Sequence, residues 1–360
     1  MNKFKVGSNF DDILLELLID CNSVDSDSKI TELYGSIRDH ADLAARPDFR
    51  LPMVSNEKFE AYVRHAADHG IDFNYTLNSI FPYGNKRDLY EHRFQIANLV
   101  RWLEDCGVKR ITIATPIMAY IIREVAKSNI ALEVSTIAHV ETVTQIKYWK
   151  ENFGIDKVCN NLLLNRNFIF LKRAAKYCND HGIMLELMVN EFCGVGGKDY
   201  ATNCIYRDSC YICHSQNKSP DDAMLFNNYP MDLCTMSRYM NPSNWLKLRF
   251  IRPEDLKAYN DIGITNFKIT GRTGSTDYIM KVVNAYMSGK FNGNLLELWK
   301  PLESIYDPRV EGIAKQYIDN SKLSDHDFIS KWSKEYMDCE NHECGVDCRY
   351  CEEIYKKVVE

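Results

Sequence analysis

The sequence lacks any apolar run approaching the about 20 residues that a bilayer-spanning helix needs. It has no excess of positive charge: 44 Lys and Arg face 50 Asp and Glu, a formal balance of -6. That balance argues against indiscriminate nucleic-acid binding, although a local basic cleft for one specific RNA would survive it. No Gly-x-Gly-x-x-Gly follows the first strand-like segment, and "GSNFDD" there is a poor substitute, so a dinucleotide fingerprint is missing. His-Glu-x-x-His and Gly-x-Ser-x-Gly are also absent, which removes two common hydrolytic templates and leaves a cysteine nucleophile open. There is no internal repeat and no low-complexity tract. The opening stretch "MNKFKVGSNFDDILLELL" breaks its short apolar run with Asp and Glu, so neither a secretory signal nor a membrane anchor is expected. A cytoplasmic location follows, in which thiols stay reduced.

What the chain does have is cysteine: 13 in 360 residues. In a reducing compartment metal explains them better than disulfides, because nine fall in two clusters. Cys21, Cys106, Cys159 and Cys178 are scattered in apolar or helical contexts and read as packing residues. At the C-terminal end, "CGVDCRYC" has the spacing that resembles the cluster motif of radical S-adenosylmethionine enzymes. Those enzymes carry it just after the first barrel strand, whereas here it follows everything that reads as barrel. Cys339 also precedes it, so Cys339, Cys344, Cys348 and Cys351 offer four thiolates. Four close the coordination of a tetrahedral zinc or a second 4Fe-4S cluster and leave no open site for substrate.

Eight short β-rich runs alternate with helical patterns. They are "FKVG" from Phe4, "TELY" from Thr31, "IDFNYT" from Ile71, "RITIA" from Arg110, "ALEVS" from Ala131, "DKVCN" from Asp156, "IMLELMV" from Ile183 and "TNFKIT" from Thr265. Between most of them apolar residues recur three and four apart, as in "NEKFEAYVRHAADHG" and "NFIFLKRAAKYCNDHG". Eight strands, each followed by a crossover, predict an α/β fold: a (β/α)8 TIM-type barrel over 1–290. About seventy residues separate the seventh and eighth strands, far more than a barrel loop takes. This cysteine-rich insertion, at about 191–250, holds Cys193, Cys204, Cys210, Cys213 and Cys234 and is expected over the barrel mouth. A helical extension over 291–360 follows, with helices expected at "DPRVEGIAKQYIDN" and "DHDFISKWSKEYMD", and ends in the four-cysteine site.

"ELMVNEFC" closing the seventh strand, the later "FIRPEDLKAYNDIGITNFKITGR" and the "AYMSGKFNGN" after it together resemble peptidase family U32, the collagenase-like peptidases. The resemblance spans about 3–295 and is strongest over 183–293. It implies a (β/α)8 barrel with a 4Fe-4S cluster at its mouth, held by Cys193, Cys204 and Cys234 with Cys213 or Cys210 as the fourth ligand; His214 ranks behind the cysteines. It further implies oxygen-independent hydroxylation, or a related redox modification, of an RNA, a peptide or a small aromatic, with prephenate as the oxygen donor. The family name implies peptide hydrolysis instead. Paired family members imply a third role, a non-catalytic iron-sulfur subunit beside a homologous or electron-transfer partner. Two departures from the family pattern are the missing His-Gly-Ala before the first cysteine and Thr270, where Glu is common.

A dicarboxylate donor needs cations near the cluster, and Arg is the usual planar partner of carboxylate. Arg252, Lys268 and Arg272 are the candidates, with an ion pair between Arg252 and Asp255 as the plainer alternative for the first. Glu186 lies within the seventh strand; facing the interior, its pKa would rise with burial and suit proton transfer, or it would pair with Lys268. Asn74, Asn78, Ser135, His139 and Asn160, near other strand ends, would line the pocket.

Overall fold

The structure, a computed structural model, describes residues 1–24, 26–84, 86–191, 193, 211–212, 234, 237–299, 316–339 and 341–359. Eight parallel strands pair in chain order and close, β1 joining both β2 and β8. They are β1 Asn2–Gly7, β2 Ser28–Gly35, β3 Asp72–Leu77, β4 Arg110–Ile113, β5 Ala131–Val134, β6 Lys157–Cys159, β7 Met184–Met188 and β8 Asn266–Ile269. Every strand-like run read from the sequence overlaps one of them. Among the described residues, no helix is long and apolar enough to cross a membrane.

The crossover helices form where local chemistry starts and stops them. Ser55 caps the helix Asn56–Asp68 by accepting from the Lys58 amide. Thr142 and Gln145 make a reciprocal capping box at the start of Val143–Phe153, which ends at Gly154 in the left-handed region, φ 62°. Each helix lays its apolar stripe on the outer faces of the strands, where Phe4, Val6, Leu33, Phe73, Ile111, Leu132, Val158, Leu187 and Phe267 are buried.

Strand alternation then decides the interior. In a strand, successive side chains point to opposite faces, so the residue between two outward apolar ones points into the barrel. The inward position is charged in six strands: Lys5, Glu32, Glu133, Lys157, Glu186 and Lys268, with Arg110 opening β4; in β1, β5, β7 and β8 it lies between two apolar residues. Barrel interiors are ordinarily filled by branched aliphatic side chains. This one is held by ion pairs spanning its width. Lys5 Nζ lies 2.5 Å from both oxygens of Glu133 and 2.7 Å from Glu186 Oε2. Lys157 Nζ lies 2.6 Å from Glu32 and 3.1 Å from Glu186 Oε1. Arg110 pairs with Glu32, and Asn74 donates to Glu133 at 2.8 Å while accepting from Thr112 at 2.6 Å.

Glu186 therefore departs from its sequence-based reading. Burial by itself would raise its pKa, but Lys157, Lys5 and Lys268 outweigh burial and hold it at about 2. It is an ionised member of the network, and its close partners are Lys5 and Lys157, not Lys268.

The C-terminal extension also differs from expectation. A continuous helix over 325–338 does not form: among the described residues of the extension, α-helix is confined to Asn320–Asp325, Ser330–Ser333 and Tyr350–Val358. Asp327 and Tyr336 take left-handed backbone, φ 44° and 55°, which interrupts helical propagation on either side of Trp332. The helix expected over 307–320 lies largely outside the described residues.

Two outcomes follow. Glu133→Gln leaves Lys5 without its bidentate partner in a dry interior and is expected to cost about 3–5 kcal/mol, read from the urea midpoint. Glu186, ordinarily near 4.5 and held at about 2 in the fold, contributes stability that is full above pH 4.5 and is lost as pH falls toward 2. Stability measured across that window should fall in the native chain and fall less steeply in Glu186→Gln.

Candidate active site

Above the ion network, toward the C-terminal ends of the strands, the next inward positions are Tyr34 on β2, Thr112 on β4, Cys159 on β6 and Lys268 on β8. The Lys268 ammonium sits 4.1 Å from the centre of the Tyr34 ring. Lys268 is 6% exposed, and among the described residues no carboxylate lies within ion-pair distance of it. The reason is arithmetic. Lys5, Lys157 and Arg110 balance Glu32, Glu133 and Glu186 three against three, so the next cation up is surplus. Burial and the neighbouring Lys5 lower its pKa, against an opposing pull from Cys159, Glu133 and Glu186.

Arg272 follows β8 and turns back over the mouth. Its Nη1 donates to Thr76 Oγ1 at 2.5 Å and to Ser36 Oγ at 3.3 Å, and its guanidinium lies 5.9 Å from the Tyr34 ring. Its partners are hydroxyls, not acids. Burial and the charge of Arg46 bring its pKa down to about 10. The local backbone makes this position: a Cβ on Gly7 would meet the Arg272 amide nitrogen at 2.7 Å, so β1 must end in glycine for Arg272 to pass. Tyr34 is buried between the two cations, and burial pushes its phenol up to about 12.

The structure separates Arg252 from these two. Its guanidinium grips Asp255 at 2.6 and 2.9 Å and donates to the Asn320 carbonyl and Ser324 Oγ. It starts a short helix and docks the extension, so the mouth cations are Lys268 and Arg272, with Arg46 nearby. Of the polar residues near other strand ends, Asn74 belongs to the ion network. Asn78 donates to Ser135 Oγ at 3.3 Å, Ser135 caps a short turn, and Asn160 donates to the Asn161 carbonyl at 2.9 Å. His139 has left-handed backbone, φ 53°, and stacks on Tyr211 with ring centres 5.7 Å apart. Thr270 is bound by Asn190, which accepts from its amide at 2.7 Å and ties the end of β7 to the end of β8.

Of the insertion cysteines, Cys193 and Cys234 are described; Cys204, Cys210 and Cys213, with His214, lie outside the described residues. Cys193 packs against Cys159, Leu162 and Met188, and Met188 is the strand partner of Lys268. Buried Arg238 lies in the field of both Cys234 and Cys193, which with burial sets its pKa.

Cys159, read from sequence as a packing residue, does pack against Leu162 and Met188; its thiol also faces the interior, where with Glu133 and Glu186 it forms the one group of three potential ligand atoms mutually within 4.8 Å among the described residues. This is a poor metal site. Both carboxylates are already held by Lys5 at 2.5 and 2.7 Å, and burial, reinforced by Glu186, pushes the thiol up to about 12. The interior residues Lys5, Glu32, Tyr34, Glu133 and Lys157 were missed, although a charge between apolar neighbours in four strands, at Lys5, Glu133, Glu186 and Lys268, was a readable signal.

A buried cation with no acid beside it costs stability in the empty fold. Lys268→Met should leave the unfolding midpoint unchanged or raise stability by about 0.5–2 kcal/mol while removing the mouth's capacity for anions. Denaturant unfolding beside anion titration checks both halves.

No family model matches the chain. Over 311 residues, 84% of this chain and 82% of the relative, it is 26% identical to the "Uncharacterized protease MJ1657" of Methanocaldococcus jannaschii. Among solved structures, that of the U32 peptidase Mk0906 superposes with a TM-score of 0.45 at 13% identity, covering 75% of this chain and 93% of that one. A chitinase from Rhizomucor miehei superposes with a TM-score of 0.41 at 11% identity, covering 80% and 99%. The chain is thus similar over most of its length to an archaeal protein named as a protease.

Proposed function

We propose that this chain is an iron-sulfur enzyme of the U32 type that binds a carboxylate-bearing small molecule at the barrel mouth and uses it in an oxygen-independent hydroxylation or related redox modification. One observation carries the reading. Lys268 and Arg272 flank Tyr34 at the mouth with no carboxylate at ion-pair distance among the described residues, beside the strand end where Cys193 packs. Their surplus charge is what a dicarboxylate such as prephenate would neutralise. Arg272, oriented by Thr76 and Ser36, would present the planar guanidinium edge, and Lys268 a point charge deeper in the barrel.

Cys193 and Cys234 would hold the cluster together with two of Cys204, Cys210 and Cys213. Such a cluster supplies a redox-active iron centre tuned by its burial and neighbouring hydrogen bonds. The chain's own residues do the rest. The ion network below fixes the height of Lys268, Tyr34 separates the two cations, and Asn190 holds the ends of β7 and β8 together. The acceptor of the modification belongs to the class of RNA, peptides or small aromatics. A second reading, peptide hydrolysis, draws on the word "protease" in the name of the archaeal relative.

The test begins with iron and sulfide per chain on protein purified without oxygen, for the native chain and Cys193→Ala. It continues with calorimetric titration of prephenate and simpler dicarboxylates into the native chain, Lys268→Gln and Arg272→Gln. The expected result is about four iron atoms lost in Cys193→Ala, and dicarboxylate binding weakened about 10- to 100-fold in each cation variant, as the loss of one hydrogen bond to a charged group implies. Absence of iron after anaerobic reconstitution, together with peptide cleavage undiminished in Lys268→Gln, would favour the hydrolytic reading.

A further inference from the structure

The C-terminal cysteines lie outside the barrel, and the reading above makes no use of them. Three short pieces of chain bring them into one another's field, with no three of their sulfurs mutually within 4.8 Å. In residues 343–348 the amides of Val346, Asp347 and Cys348 all point at the Glu343 carbonyl, at 3.2, 3.2 and 3.3 Å. Gly345 turns the chain at φ 90°, and Cys344 and Cys348 come side by side in a single bridge. Cys351 stands in the first turn of the helix Tyr350–Val358, and Cys339 joins from upstream. None of the four is in a disulfide, and each is half-buried.

Two further observations point to a ligand. The indole N–H of Trp332 donates to Cys339 Sγ at 3.0 Å; a neutral thiol is a weak acceptor, whereas a thiolate accepts well. Arg166, 2% exposed, donates its Nη1 to the Leu246 carbonyl at 2.8 Å, while its Nε and Nη2 are buried without partners. Its guanidinium is stacked among Trp332, Phe250 and Phe328 at 4.3, 4.9 and 5.0 Å. It also borders a small cavity shared with Cys339, Arg249 and Met337. A guanidinium this deep, lying among aromatic rings with two nitrogens unsatisfied, calls for a negative centre beside it.

We propose that Cys339, Cys344, Cys348 and Cys351 hold a closed, all-thiolate metal centre, with Arg166 as its buried counter-charge and Trp332 as its N–H donor. Four thiolates make either zinc or a four-iron cluster net negative with no open position; sulfurs spread beyond 4.8 Å suit the cluster, whose ligands sit on separate irons, better than one zinc, whose bonds put its sulfurs about 3.8 Å apart. The centre also clamps the chain returning from the insertion. Cys351 Sγ lies 3.6 Å from the Leu246 carbonyl, which Arg166 also binds, and Lys247 pairs with Glu352 at 3.1 Å. Arg249 in the same segment bonds the Leu163 carbonyl at 3.3 Å, so the metal would fasten this segment and the β6 loop to one anchor.

The test uses the full chain purified without oxygen. Zinc, iron and sulfide are counted in the native protein, Cys348→Ser and Arg166→Met, and native cysteines are mapped by alkylation and mass spectrometry. The proposal expects Cys348→Ser to lose one zinc, or about four iron and their sulfide, while the metal lost in Cys193→Ala stays. It expects the four tail thiols to resist alkylation until a chelator is added. It expects Arg166→Met to release the same metal to chelator at about 10- to 100-fold lower competitor concentration, as other residues supporting metal ligands do, with Arg166→Lys intermediate. Tail thiols that alkylate in the untreated native chain as fast as Cys21, with identical metal content in Cys348→Ser, would overturn it. That failure would leave the mouth reading intact, because Cys193→Ala reports on the mouth separately.

Discussion

The structure depends on charge balance inside a closed barrel. Seven charged side chains point into a space that water does not fill, and in so dry a place an unmatched charge is costly. Three cations and three carboxylates cancel by direct contact, Lys5 and Lys157 each reaching more than one acid across the barrel. A balanced network of this kind contributes little net stability compared with an aliphatic core. What it does is fix positions: β1 is tied across the barrel to β5, and β6 to β2, so the barrel cannot shift register without breaking several pairs. The seventh charge, Lys268, is left over at the height where the barrel opens. An uncompensated buried ammonium at the mouth is the charge that the proposed carboxylate ligand would neutralise.

Much of this was legible in the sequence, for a definite reason. All eight strands were visible because β-rich runs alternate with helical patterns of different period, and that contrast survives without tertiary information. Lys268, Arg272 and Glu186 stood out because they sit at strand ends or inside a strand beside a recognisable motif. Lys5, Glu32, Glu133 and Lys157 did not, since a lone charge in a strand is usually a solvent-facing residue. The segments "FKV", "LEV", "LEL" and "FKI" share one arrangement, a charge flanked by apolar residues. In a strand covered by helices outside, that parity can only point inward, and such a charge in four of the eight strands announces a polar interior. The sign of the Glu186 pKa shift could not be read the same way, because it depends on Lys5 and Lys157, which are distant in sequence and meet it only on closure.

The extension was harder to read because its conformation is set by what it packs against. "DHDFISKWSKEYMD" has helical periodicity, yet Phe328 and Trp332 are drawn onto Arg166 and Phe250, and the backbone turns at Asp327 and Tyr336 to let them. Local propensity lost to burial of two large aromatic rings, whose packing outweighs one or two helical turns.

The extension also bears on the mouth. Of the two roles that Arg252 offers from sequence, a ligand cation or an ion pair with Asp255, it takes the second and also donates to Asn320 and Ser324, while Glu254 accepts from both Asn320 and the Phe291 amide. Tyr286 reaches the Ile251 carbonyl at 2.6 Å, and Asn190 reaches the Leu298 carbonyl at 3.2 Å. The segment between the insertion and β8 is thereby held on one side by the barrel, where the Ile251 amide bonds the Val189 carbonyl, and on the other by the extension. Lys268 and Arg272 sit at the end of that segment. Their placement relative to Cys193 rests on both supports, so loosening the extension would disturb the mouth without touching any residue in it.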